Sequence, residues 1–188
     1  AWAEVQELLE RDAVDLLLIS PERLNNPQFR ASMLPLFAER VGLLVVDEAH
    51  CISDWGHDFR PDYRRIRDVL AGLGDVPVLA CTATANDRVV ADVADKISVM
   101  YAGRIIEQAS VHDIYARPSH PYTKALLESI PRLDLKGMEL AAIKGLPPNL
   151  MRIPPGCAFN PRCRYAQDVC RTEVPLLLEV ESGRHSAC

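Results

Sequence analysis

Apolar residues at helical spacing open the chain, with Trp2, Val5, Leu8 and Leu9 falling on one face. The run 14–20 (VDLLLIS) is apolar almost throughout, as a strand buried on both faces requires. Asn26-Pro27 offers a cap and a first-turn proline for a helix carrying Phe29, Met33, Leu36 and Phe37. A second apolar run, 41–48 (VGLLVVDE), follows. Pro61 then opens a helix with Ile66, Val69 and Leu70 on one side. A third run, 76–84 (VPVLACTAT), precedes Asn86, which can cap a helix holding Val89, Val90 and Val93. This alternation predicts an α/β fold: a parallel sheet with helices on both faces, strands near 15–19, 42–47 and 76–82, and Asp47 at a C-terminal strand end.

After Asp95 the pattern changes. ISVMY and RIIEQ flank Ala102-Gly103 and predict a β-hairpin. Ser110 can cap a short helix, VHDIYAR, and another helix follows at about 122–130. From Pro131 to Pro161 the chain is rich in Pro and Gly, which predicts irregular structure ordered by contacts or by a metal. Three regions result: residues 1–94, residues 95–131 with the hairpin and short helices, and a Cys-rich tail at 132–188.

Charge divides the chain the same way. Residues 1–94 hold 9 Arg, no Lys and 16 acids, net −7, while residues 95–188 are net +2, giving the −5 of the whole. Neither part is basic enough to bind nucleic acid through its field alone. No apolar run approaches the length of a membrane span and no signal peptide is evident, so a cytoplasmic protein is expected, peripheral to the inner face of the membrane if a partner holds it there.

Asp47-Glu48-Ala49-His50 directly follows an apolar strand. An acid held there can bind Mg²⁺, and a second can orient or deprotonate an attacking water. A bare acidic turn gives the same pattern with no chemistry. CISDWGHDFRPDYRRI (51–66) follows, with ISPERL (19–24) before it and Thr82-Ala83-Thr84 after it. These four motifs, in this order, resemble those of RecQ-type DEAH-box DNA helicases. The resemblance covers residues 1 to about 94 and implies part of a RecA-like, P-loop NTPase-type domain using ATP and Mg²⁺. It implies motif II at Asp47, Glu48 and His50, coupling through Thr82 and Thr84, and DNA contact by Ser20, Arg23, Trp55, His57, Phe59 and Arg60. Trp55 and Phe59 can stack on bases and Arg60 can pair with phosphate; a core role is the alternative, and it suits Phe59 better than Trp55, which lies between Asp54 and Gly56.

The phosphate-binding loop of such enzymes is Gly-rich and ends in Lys-Ser or Lys-Thr. No Lys precedes Lys96, and none of the four Lys follows that pattern. The second helicase domain, which brings the arginine finger, is likewise expected to be missing.

DKISVMYAGRIIEQASVHDIYARPSHPYTKALLESIP (95–131) and PPNLMRIPPGCAFNPRCRYAQDVC (147–170) resemble the C-terminal part of oligopeptide/dipeptide ABC-transporter ATP-binding subunits, with His120-Pro121-Tyr122-Thr123 as the hallmark. The resemblance implies a membrane permease and a partner ATPase subunit as partners. His120 reads as a capping or packing residue. The Gly-Gly pair of the ABC signature is absent.

Cys157, Cys163, Cys170 and Cys188 are spaced C-x5-C-x6-C-x17-C in a region poor in core residues. Four thiolates can hold Zn²⁺ or an iron–sulfur cluster, or stay as thiols or crosslinks. The transporter resemblance implies a 4Fe–4S cluster. Cys51 and Cys81 read as buried small hydrophobes. Three functions stay open: a RecQ-like DNA-dependent ATPase, a peptide-importer subunit, or a hybrid of the two with neither activity.

Overall fold

The computed structural model describes residues 2–49, 73–82, 94–129 and 142–188. The chain is mixed α/β and divides into two units, residues 1–85 and 86–188.

In the first unit, α1 (Trp2–Glu10) places Leu9 in a small core with Phe29 and Met33. Helix α2 is Pro21–Leu24. Asn26 caps α3 (Pro27–Ser32), its side chain accepting from the Phe29 N–H at 3.0 Å. The helix expected to run on through Phe37 breaks at Met33 and resumes as α4 (Leu34–Phe37). Pro35 accounts for the break, since its ring clashes with the carbonyl four residues earlier and it has no N–H. A 3₁₀ turn, Ala38–Arg40, follows. Arg40 pairs with Asp12 at 2.7 Å and donates to the Leu9 carbonyl at 2.8 Å and to the Leu36 carbonyl, tying this turn to the end of α1.

Strands β1 (Leu44–Val46) and β2 (Val78–Ala80) pair in parallel, Leu44 opposite Val78 and Val46 opposite Ala80. The third expected strand differs. Residues 14–20 take no strand pairing among the described residues. Val14, Leu17 and Ile19 pack on the Leu9–Phe29–Met33 core, whereas Leu16 and Leu18 stay exposed. The segment buries one side in helices without entering a ladder. The expected helices after Pro61 and Asn86 lie outside the described residues.

The second unit is built on a four-stranded antiparallel sheet, in the order β3-β4-β6-β5. Strands β3 (Lys96–Tyr101) and β4 (Arg104–Ser110) form the expected hairpin. Ala102 and Gly103 both have positive φ, +49° and +78°, as a two-residue turn matched to strand twist requires. The register shifts beside Val99 and Met100, leaving Ile106 as the extra residue of a bulge. Ser110 caps α5 (Val111–Ala116) by accepting from the Asp113 N–H at 3.1 Å. Helix α6 is Pro121–Glu128.

Most of residues 142–177 is irregular apart from the 3₁₀ turn Asn160–Arg162 and the short helix α7 (Val169–Thr172). The chain then forms β5 (Leu178–Glu181) and β6 (Arg184–Ser186), and β6 joins β4, with Glu107 opposite Ser186. The Ala187 N–H donates to the carbonyl of Ile106 at 2.9 Å. The core is Val99, Tyr101, Ile106, Ala109, Ile114 and Phe159. Tyr101, Tyr122 and Phe159 lie ring to ring, with centroids 4.5–5.4 Å apart.

Candidate functional sites

Asp47 stands immediately after β1, at the C-terminal strand end, with Glu48 next in the turn. Backbone bonds fix this turn against the end of β2. The Cys81 N–H donates to the Val46 carbonyl at 2.8 Å, and the Ala49 N–H donates to the Cys81 carbonyl at 2.9 Å. Asp47 Oδ1 accepts from the Glu48 N–H at 2.9 Å. Glu48 has φ +50°, a left-handed conformation that a non-glycine residue adopts only under constraint. Both carboxylates are exposed, and Thr82, one residue past Cys81, lies at the same edge. Ligands of parallel α/β sheets bind at this carboxyl edge.

Cys81 is exposed, contrary to its expected burial. It sits past the strand end, where its backbone rather than its thiol is held. Ser20 immediately precedes α2, and Arg23 within that helix stacks its guanidinium over the Trp2 ring at 4.4 Å. Ser20 and Arg23, with Glu22 and Asn26, border one shallow depression. His50, Cys51, Trp55, His57, Phe59, Arg60 and Thr84 lie outside the described residues.

In the second unit, His120 is 2% exposed and caps α6, its Nδ1 accepting from the Tyr122 N–H at 3.0 Å. Burial pushes its pKa down to about 4, against a smaller upward pull from Glu107. The ring is therefore neutral at pH 7, with its proton on Nε2.

Glu107 and Arg184 escaped the sequence reading. Glu107 is 1% exposed, and its carboxylate accepts from the N–H of Ser119 at 2.6 Å and of His120 at 2.9 Å. Arg184, also buried, donates to the Arg117 carbonyl, to Ser119 Oγ at 2.7 Å and to Glu181 at 2.6 Å. The two residues hold the turn before α6 from β4 and from β6. The only sequence signal was an acid inside the apolar run RIIEQAS, a position that calls for fixed partners.

The four tail cysteines are free thiols. Each of Cys157, Cys163 and Cys170 bears electrostatically on Cys188, so all four lie in one neighbourhood. Burial raises the pKa of Cys157 and of Cys188. The Cys157 N–H donates to the Cys170 carbonyl at 2.9 Å, an approach that requires Gly156. A Cβ on Gly156 would stand 2.4 Å from that carbonyl oxygen, and φ there is +71°. Among the described residues, however, no three His, Cys, Asp or Glu side chains are grouped so as to hold a metal ion.

The tail is held by β6 pairing and by Phe159 in the aromatic cluster. Leu176 is 71% and Leu178 61% exposed, so they add little to that hold.

Comparison with known proteins supports both resemblances. The DEAD/DEAH box helicase family model matches residues 2–93, and the model of the oligopeptide/dipeptide transporter C-terminal region matches residues 106–170. Oligopeptide transport ATP-binding protein OppD of Escherichia coli is 47% identical over 100 residues, 53% of this chain and 29% of that protein. OppD of Mycobacterium tuberculosis is 44% identical over 126 residues, 66% of this chain and 21% of that protein. AppD of Bacillus subtilis is 48% identical over 100 residues, 53% of this chain and 30% of that protein.

The chain spans about a third or less of each of these relatives. A match covering 66% of the chain also exceeds residues 95–188, so it reaches back into the stretch matched by the helicase model. No described helix is long and apolar enough to cross a membrane. The chain thus resembles two families in succession, DEAD/DEAH-box helicases in its first part and oligopeptide-transporter ATP-binding proteins in its second.

Proposed function

We propose that the chain joins part of a RecQ-like helicase ATPase domain to the C-terminal part of a peptide-importer ATP-binding subunit, and that these 188 residues do not hydrolyse ATP by themselves. One observation carries this reading. Asp47, Glu48 and Thr82 share the edge where a RecA-like domain handles nucleotide and Mg²⁺, yet the sequence has no Gly-rich loop with its Lys to bring phosphates there. Such phosphate-directed donors supply several kcal/mol of transition-state stabilisation.

Residues 86–188 retain a self-standing role in this reading. They act as a docking extension on the cytoplasmic face of a membrane permease, beside a partner ATPase. Ser20, Arg23, Trp55, His57, Phe59 and Arg60 descend from a DNA-contacting surface, and His50 and Thr84 from the ATPase motifs. The test is ATP turnover with and without single-stranded DNA. Turnover at the buffer rate is expected; DNA-stimulated turnover that disappears in Glu48→Gln would refute inactivity.

The grouping of Cys157, Cys163, Cys170 and Cys188 supports a second reading, a 4Fe–4S cluster in preference to zinc. A lone Zn²⁺ with bonds of about 2.3 Å draws its sulfurs to roughly 3.8 Å of one another. A cluster is a larger object and suits thiols that share a neighbourhood without crowding one point. Anaerobic purification followed by iron, sulfide and zinc analysis, with each Cys→Ser variant alongside, tests this. Metal-free protein with an ordered tail would end it.

A further inference from the structure

Within residues 86–188 lies a cleft of about 250 Å³ that neither candidate site uses. Its walls include Ile105, Ile153, Phe159 and Val174, with Pro154 and Pro155. It is smaller than the roughly 300–1,000 Å³ of pockets for drug-sized ligands, so it suits one branched side chain and a small polar end rather than a nucleotide. The prolines fix their own φ, which keeps that wall formed before anything binds. Of the four tail cysteines only Cys157 borders it, so it is distinct from the place where the thiols group.

Two polar features face this apolar space. Among the described residues, Arg104, at the start of β4, is the only charged one lining it, and it has no ion pair there. His120 also lines it. With Nδ1 occupied by the Tyr122 N–H, its Nε2–H donates to no described residue. An unpaired guanidinium and an imidazole N–H with no described acceptor can serve the same acid group.

We propose that this cleft binds a branched aliphatic group carrying a carboxylate. The aliphatic body packs between Ile105, Ile153 and Val174. The carboxylate pairs with the Arg104 guanidinium and accepts from His120 Nε2–H. Such a group comes either as a free short-chain acid or as the C-terminal residue of a peptide.

The test titrates the full chain with N-acetyl-leucine, N-acetyl-leucinamide and glycyl-glycyl-leucine, following isoleucine methyl resonances. The acid is expected to bind with a dissociation constant on the order of 1 mM, shifting Ile105 and Ile153, and the amide at least about tenfold more weakly. Arg104→Gln should weaken the acid to the level of the amide and leave the amide unchanged. Arg104 is exposed beside a turn, so the variant keeps its fold, which the Tyr101 and Phe159 ring resonances verify. Tighter binding of the tripeptide assigns the carboxylate to a peptide end, and equal or weaker binding assigns it to a free acid; either result supports the site. Acid and amide binding alike, no saturable binding, or acid binding unchanged in Arg104→Gln would overturn it.

Discussion

Strand side chains meet opposite fates in the two units. In residues 1–85 the parallel pair buries Val46 but leaves Val45, Val78 and Leu79 on the surface, and among the described residues Leu9, Phe29 and Met33 form a small buried cluster between helices. In residues 86–188 the antiparallel sheet buries Val99, Tyr101, Ile106 and Ala109, and a later strand of the same chain extends it. The contrast teaches how each kind of sheet obtains its cover. Parallel strands carry apolar residues on both faces and take cover from crossover elements. An antiparallel sheet grows by hairpins, so one short stretch supplies both strands and closure. The second unit should therefore be the more stable.

Phe159→Ala would break that contrast most strongly. The ring touches Tyr101, Tyr122 and His120, and its loss should cost about 3–5 kcal/mol. Both tryptophans precede residue 86, so tryptophan fluorescence reports the first unit and should keep its urea midpoint while the near-UV tyrosine signal loses its own.

Acid should narrow the difference next. The folded state lowers the His120 pKa from 6.5 to about 4, so the unfolded chain takes up the proton first. Stability is whole above about pH 6.5 and is lost as pH falls toward 4, by about 3 kcal/mol at most. His120→Asn, which can still cap α6, should flatten that acid limb in pH-dependent melts.

Gly156→Ala comes third. Its Cβ would meet backbone at 2.4 Å in a left-handed conformation, and about 2 kcal/mol should be lost from the tyrosine transition alone. Arg40→Ala should act on the other unit and more mildly. It removes the exposed pair to Asp12 and the bonds to the Leu9 and Leu36 carbonyls, costing about 1 kcal/mol in the tryptophan transition.

Local signals carried much of this architecture. Asn26 and Ser110 cap the helices they precede, Ala102-Gly103 turns the hairpin, and Asp47 ends its strand, because each depends on neighbours a few residues away. Signals that depend on distant partners were illegible or misleading. Residues 14–20 read as a buried strand, but hydrophobicity does not say whether a ladder partner exists. The tail's anchor is polar: β6 enters with Arg184 and Ser186, whose roles appear only once Glu107 and Ser119 are in place. At the candidate sites, the position of Asp47 followed from the sequence. The cleft beside Arg104 did not, because residues from five separated stretches line it.

The pairing of Glu107 with Ser186 has a consequence in time. The two residues are about 80 apart in sequence, so the first hairpin emerges from the ribosome well before its neighbouring strand. At roughly 5–20 residues per second, that interval is about 4–16 s. Through it β4 presents an open edge and its bulge to the cell. Contacts so distant in sequence also form slowly once the chain is whole. The stability of this unit is thus acquired late, and a chain interrupted between residues 129 and 178 would display an unfinished sheet edge of the kind that pairs with other chains.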